Sequence, residues 1–78
     1  MITSKNGDRF VLEVTLSELL TLRCIIAGGI PSIHSYSASF NDPKKVRREA
    51  GELHAGTIRL LEFRTLEELE ISKNFFKG

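Results

Sequence analysis

VLEVTLSELL, residues 11–20, is the stretch around which this sequence is organised, because a weaker copy, LEFRTLEELE, returns at residues 61–70. Each copy places strand-like apolar residues before the order Thr-Leu-x-Glu-Leu, so a threonine precedes a glutamate by three positions. That spacing is typical of a capping box, in which the threonine hydroxyl accepts from the third helical N–H and the glutamate accepts from the threonine N–H. The sequence therefore predicts two strand-to-helix junctions, at Thr15 and Thr65.

The size and composition of the chain indicate one small globular domain with a marginal core. It has 78 residues, of which 41% are hydrophobic and 27% charged, an ordinary globular balance that argues against disorder. A chain this short buries only about 60% of its unfolded surface. Without a disulfide framework, such a domain gains stability from tight packing or from a subunit interface. A homodimer is therefore expected more than a monomer.

The charge balance argues against a protein that binds nucleic acid mainly by electrostatics. Eleven Lys and Arg residues face ten Asp and Glu residues, which gives a net charge of +1. Dedicated nucleic-acid binders usually carry a strong basic excess. The near-neutral balance argues equally against an acidic mimic of DNA.

Cysteine usage and hydropathy indicate a soluble, cytoplasmic protein. The single cysteine, Cys24, excludes an intramolecular disulfide and favours a reducing compartment. The first fifteen residues carry several charges and no apolar core, unlike a signal peptide. The longest apolar run, residues 19–30, is interrupted by Thr21 and Arg23 and is shorter than a membrane span requires.

The order of patterns along the chain predicts an α+β fold. Asn6-Gly7 favours a type I′ turn, so residues 1–14 are expected to form a hairpin. A helix over residues 16–27 is expected to end at Gly28-Gly29. The remaining elements are predicted as a strand over 32–40, a helix or loop over 43–54, a strand over 57–64 and a helix over 66–76. The strands would form one mainly antiparallel sheet with the helices on one face, although a continuous helix over 57–76 is an alternative.

The first helix carries a wider apolar arc than one small sheet requires. Its leucines and isoleucines spread over a broad side of the helical wheel. Either the helix lies centrally in the fold or it also contacts a partner subunit. Arg23 falls inside this arc, and its stem is expected to pack while its guanidinium reaches the last carbonyls of the helix.

The densest cationic cluster is the basic segment, defined as Lys44, Lys45, Arg47 and Arg48. It could contact phosphates, with Tyr36 and Phe40 nearby to stack on bases. The competing interpretation is a solvated helix face in which Lys45–Glu49 and Arg48–Glu52 pair at i, i+4. The near-zero net charge favours the solvated face, and nucleic-acid binding remains the alternative function.

The sequence contains no constellation that is typical of an enzyme. Cys24, His34 and His54 are the only classical nucleophile or base candidates, and their spacing matches no zinc signature. No P-loop and no Gly-x-Gly-x-x-Gly motif is present, so no cofactor is expected. A small enzyme using Cys24 with a histidine is the least favoured hypothesis.

The leading hypothesis is therefore a non-enzymatic interaction protein that binds a larger protein partner and self-associates. Small domains without catalytic motifs often act as regulators or inhibitors, including those that phages carry. The residues expected to contact the partner are Phe75 and Phe76 together with the basic segment, because interface energy concentrates at exposed aromatic and arginine side chains.

Overall fold

The computed structural model describes residues 1–76, apart from the side chain of Ser37. It consists of a two-stranded antiparallel sheet followed by three helices, so the α+β class is confirmed. The elements are β1 (Ile2–Asn6), β2 (Arg9–Glu13), α1 (Leu16–Ser35), a 3₁₀ turn (Ser37–Ser39), α2 (Pro43–Leu61) and α3 (Leu66–Phe75).

The N-terminal hairpin forms as predicted, but its turn lies one residue later. Asn6 pairs with Arg9 in the ladder, so the two-residue loop is Gly7-Asp8. Gly7 has a φ of 64° and no described non-glycine residue has a positive φ. A positive φ at the first loop position alone is the pattern of a type II′ turn. The type I′ prediction at Asn6-Gly7 was therefore wrong.

Both predicted capping boxes are confirmed. The N–H of Thr15 donates to Glu18 Oε1 at 3.0 Å, and the N–H of Glu18 donates to Thr15 Oγ1 at 3.2 Å. The two equivalent bonds between Thr65 and Glu68 are each 3.1 Å long. The bond from the Thr15 N–H, followed by the Met1 ammonium 3.0 Å away, lowers the pKa of Glu18.

Removing the second cap should weaken the fold measurably. Thr65→Ala is expected to cost about 1 kcal/mol of unfolding free energy, because the Glu68 N–H loses its hydroxyl acceptor. Urea unfolding followed by circular dichroism measures this cost. Thr21→Ala is the matched control, since the Thr21 hydroxyl only donates back to the Ser17 carbonyl inside α1. Equal midpoints for the two variants would contradict a stabilising cap.

Helix α1 does not end at Gly28-Gly29 but continues through Pro31 to Ser35. The prediction of a helix over 16–27 was therefore too short. Ile26, Ile30 and Ile33 follow at i, i+4 and i+7, and they line one concavity together with Val46 and Ala50 of α2. This apolar stripe spans the glycines and offers packing that outweighs their poor helix propensity.

The two later strands were predicted wrongly. Residues 32–40 contain the end of α1 and the 3₁₀ turn, and residues 57–61 belong to α2. Thr57, although β-branched, is buried in α2, where its hydroxyl donates to the His54 carbonyl at 2.8 Å. In the described residues the sheet therefore has two strands.

The second half of the chain is a pair of helices with a capped break between them. Asp42 Oδ1 accepts from the Lys45 N–H at 3.1 Å and caps α2, which begins at Pro43. Of the two alternatives predicted for residues 43–54, a helix or a loop, the helix is the one that forms. The Glu62 N–H donates to the Arg59 carbonyl, three residues back instead of four, and this 3₁₀-type turn ends α2. Thr65 then starts α3, so a continuous helix over 57–76 was also wrong, whereas the helix predicted over 66–76 is confirmed to within one residue.

The structure leaves an unusually large surface exposed. Its buried hydrophobic residues among those described are Leu20 of α1 and Ala50 and Leu61 of α2. The accessible surface is 6445 Å², whereas a folded monomer of 8.8 kDa exposes about 4,800 Å². The radius of gyration is 14.7 Å, compared with about 11.5 Å for a compact domain of this length. The chain is a flat plate of 43 × 37 × 17 Å.

Candidate protein-interaction surfaces

An apolar groove lies between the hairpin, α1 and α2. Its volume is about 810 Å³, and its apolar lining includes Leu12, Leu19, Leu22, Ile26, Leu53 and Leu60. The charged side chains that line it are Glu49 and Glu52. Each is paired within α2, Glu49 with Lys45 at 4.0 Å and Glu52 with Arg48 at 3.9 Å. The apolar groove is therefore nearly neutral.

The apolar groove continues into neighbouring concavities and forms an extended apolar face. One extension of about 330 Å³ shares Ile26 and Leu53 and runs toward the C-terminal half of α1. Another of about 280 Å³ shares Leu12 and Leu22 and reaches the hairpin. Contiguous apolar surface of this kind on a small protein marks a protein or membrane contact.

A second concavity, the cationic cleft, lies among α1, α2 and α3. It has a volume of about 330 Å³ and shares no lining residue with the apolar groove. Its apolar lining includes Leu20, Ile58, Leu61, Leu69 and Phe76. Three cations also line it, Arg23 from α1, Arg64 from the α2–α3 connection and Lys73 from α3, and among residues 1–76 no acidic side chain does. The cleft therefore combines apolar walls with one sign of charge.

The cations of the cleft lack carboxylate partners within residues 1–76. Arg23, Arg64 and Lys73 take part in none of the ion pairs of this part of the chain. Arg64 Nε donates to the Leu61 carbonyl at 2.6 Å, a backbone bond that leaves the charge unneutralised. Arg23 Nε is buried and has no hydrogen-bond partner. A buried donor without a partner costs about 1–3 kcal/mol, and more when it is charged.

Phe75 and Phe76, which the sequence predicted as partner contacts, lie at the end of α3. Their rings meet edge to face with centroids 5.1 Å apart. They are 38% and 46% exposed, and Phe76 forms part of the cationic cleft. Each ring is therefore partly packed against the chain and partly accessible to a partner.

The basic segment lies elsewhere. Lys44, Lys45, Arg47 and Arg48 are exposed in the first two turns of α2. Thirteen residues separate Lys45 from Ile58 of the cationic cleft, which is about 20 Å along a helix. The structure therefore does not bring the basic segment and the two phenylalanines into one site.

The candidate catalytic residues lie on two helices, α1 and α2. Cys24 is exposed on α1, and His34 lies ten residues further along the same helix, about 15 Å away. His54 is half-buried on α2. Among residues 1–76, no group of three or more His, Cys, Asp or Glu side chains could hold a metal ion.

Helix α1 is long and apolar enough, by length and composition alone, to cross a membrane. The prediction from the sequence rested on a shorter apolar run, and the extension to Ser35 removes that argument from length. The helix nevertheless carries Glu18 and Arg23, and charged residues in a span are costly. Little of α1 is buried, so most of its apolar surface is accessible in the isolated chain.

Comparison of the chain with protein-family models, with curated proteins and with solved structures finds no match. The function must therefore be argued from the surfaces themselves.

Sequence reasoning pointed to the apolar arc of α1, part of which lines the apolar groove, but missed the cationic cleft. The one local signal was Arg23, a cation inside the apolar arc of α1. Its guanidinium was expected to reach the last carbonyls of the helix, and this was wrong. The helix ends at Ser35, twelve residues or about 18 Å beyond Arg23, and Arg23 instead lines the cleft between helices.

Proposed function

We propose that this chain is a small, non-enzymatic interaction protein of the cytoplasm that works as a homodimer and binds a larger protein partner as a regulator or inhibitor. The observation that carries this proposal is the exposed area. The chain exposes about 1,700 Å² more than a compact monomer of its mass. Obligate homodimers bury about 1,000–2,500 Å² on each subunit. The excess is thus the area that a stable dimer interface needs.

The charges of the two concavities favour a second copy as the occupant of the apolar groove. The groove is nearly neutral, because its two glutamates are already paired. Two copies that meet there bring their glutamates to the interface, each beside a cation of its own helix. Two cationic clefts facing one another would bring six cations together, and like charges across an interface cost several kcal/mol. The cationic cleft is therefore left for a different partner.

Light scattering on the eluting protein tests this proposal. We expect a mass of twice the 8.8 kDa chain, unchanged between low and moderate salt, because apolar contacts are insensitive to screening. A mass of one chain would contradict the dimer. Co-sedimentation of the chain with lipid vesicles would instead assign the apolar face to a membrane.

The alternative function, nucleic-acid binding through the basic segment, has one observation in its favour. Lys44 and Lys45 lie in the first turn of α2, where the positive end of the helix dipole disfavours cations. Against it, Lys45 and Arg48 are paired with glutamates. Nucleic acid that co-elutes with the protein and is released as salt rises would support the alternative.

Truncation of the exposed aromatic pair should abolish partner binding. In the double variant Phe75→Ala/Phe76→Ala we expect loss of the protein that wild type captures from lysate of its own cells, because anchors of this kind often contribute about 2 kcal/mol or more each. Quantitative mass spectrometry of the captured proteins gives the readout. The control is Phe63→Ala, which removes an exposed ring outside both concavities.

The fold must be monitored in the same samples. Unchanged circular dichroism with lost capture supports the proposal. Capture of the same protein by the double variant would contradict a contact through α3. Loss of helical signal would instead assign Phe75 and Phe76 to the core.

A further inference from the structure

We infer that the cationic cleft is the docking site for a short acidic and apolar peptide segment of the partner, with a carboxylate bound at Arg23. This inference rests on the proposed function, since it names the chemistry of the partner that the function requires. It is carried by the geometry of the cleft, the distribution of charge on its walls and the unsatisfied donor of Arg23.

The size of the cleft limits its occupant to a short segment. A volume of about 330 Å³ is at the lower end of the range of ligand sites. Its walls are contributed by three helices, so the surrounding shape is set by packing. Leu20 and Leu61, both buried, close it on the inside. An aliphatic side chain entering the cleft would contact Ile58, Leu69 and Phe76.

The charge of the cleft selects an anion. Three cations approach one concavity, and no acidic side chain of the described part of the chain lines it. A charged patch inside apolar walls attracts a partner of opposite sign more strongly than a solvated patch does. The basic segment differs in this respect, because two of its four cations are paired at 4.0 and 3.9 Å.

Arg23 identifies where the anion binds. Its Nε is buried and donates to no described atom. A guanidinium binds a carboxylate through parallel N–H bonds, and an arriving carboxylate would satisfy this donor once the Arg23 side chain turns toward the cleft. Arg64 cannot supply its Nε, which already donates to the Leu61 carbonyl. Lys73 can add a second cation from the α3 wall.

A designed peptide tests the inference on the full chain. The probe is the hexapeptide (Glu-Leu)₃ with blocked ends, and the control probe is (Gln-Leu)₃, which has the same shape without charge. Amide chemical-shift mapping by NMR locates the contact, and the titration gives the affinity. We expect shifts at Arg23, Ile58, Ser72 and Lys73, and binding of the glutamine peptide weaker by about tenfold or more, because hydrogen bonds to charged groups are the stronger ones.

Variants of the chain locate the charge that matters. Arg23→Met keeps the packed stem and removes the guanidinium, and we expect it to weaken binding of (Glu-Leu)₃ by about tenfold or more. The matched control is Arg47→Met, which removes an exposed cation of the basic segment and should leave the affinity within about twofold. Should Arg23→Met fail to fold, Lys73→Gln removes an exposed cation of the cleft wall and should weaken binding severalfold.

Several results would overturn the inference. These are equal affinity for the two peptides, shifts confined to the apolar groove or the basic segment, no binding by either peptide, or full binding by Arg23→Met. Binding of a thymidine oligonucleotide but not of the peptide, lost in Arg23→Met, would reassign the cleft to nucleic acid. If the peptide does not bind while the protein still dimerises and still captures its partner, only the inference about the cationic cleft is refuted. Loss of the dimer and of the capture would refute the proposed function.

Discussion

Leu53→Lys is expected to convert the homodimer into single chains. Leu53 is 61% exposed in the isolated chain but lines the apolar groove. A lysine here follows Glu49 by four residues, a favourable pair, so α2 itself should tolerate it. In the dimer, each of two symmetric sites would bury a charge against apolar surface at about 2 kcal/mol or more, so we expect the dissociation constant to rise at least about 100-fold. Light scattering across a dilution series measures it.

Leu66→Lys is the matched control for that variant. Leu66 is 87% exposed and lines neither concavity, so the same substitution should leave the mass at that of the dimer. Equal masses for the two variants would contradict the assignment of the interface to the groove.

If Leu53→Lys does not fold, the melting temperature of the wild type tests whether the chain self-associates. The melting temperature of an obligate dimer rises with protein concentration, whereas that of a monomer does not. A concentration-independent melting temperature of the wild type would contradict self-association whatever the variant does.

Leu20→Ala is expected to produce the largest loss of stability in the chain. Leu20 is 1% exposed and lies where α1 faces α2 and α3. Truncating a buried leucine removes transfer free energy and leaves a cavity, at a cost of about 2–5 kcal/mol. A core this small supplies little more than that, so the melting temperature should fall by at least about 10 °C, and the chain is expected to be largely unfolded at 37 °C.

Leu66→Ala is the control for the core. It deletes the same atoms from a side chain that is already in water, so the free energy of unfolding should change by less than about 0.5 kcal/mol. Thermal and urea unfolding followed by circular dichroism measure both variants. A loss for Leu20→Ala no larger than for Leu66→Ala would mean that the helices are not held by this contact.

The apolar groove and the cationic cleft lie on different parts of the chain and would bind different partners. In our proposal the apolar groove is occupied by a second copy, and the cationic cleft remains accessible on each subunit. The Leu53→Lys variant should then keep its affinity for the acidic peptide if it folds as a monomer, because no lining residue is shared. The dimer would present two clefts to a partner, which raises apparent affinity when both can be engaged.

The sequence by itself determined where the helices begin and that an N-terminal hairpin forms. Thr15 with Glu18 and Thr65 with Glu68 form their bonds within three positions, and both caps lie where the pattern predicted them. The N-terminal hairpin was predicted for the same reason, since a glycine near the turn permits a positive φ. Interactions of such short range depend little on the rest of the chain, so a reader of the sequence can recover them.

Where an element ends was decided by packing. The serine alternation over 32–40 suggested a strand, and Gly28-Gly29 suggested a helix end. The contacts of Ile26, Ile30 and Ile33 with α2 instead continue α1 to Ser35. Each glycine costs about 1 kcal/mol in a helix and Pro31 about 3 kcal/mol, and the partial burial of three isoleucines beside α2 is the contribution that opposes these costs.

The surfaces depended on tertiary structure most of all. The sequence alone drew attention to Phe75, Phe76 and the basic segment, which are conspicuous because their residues are neighbours in the chain. The cationic cleft collects Arg23, Ile58 and Lys73 from three helices, and no pattern along the sequence relates them. The capping boxes arise from bonds between residues three positions apart. The cleft and the groove arise only when α1, α2 and α3 pack, because packing alone places distant side chains on one wall.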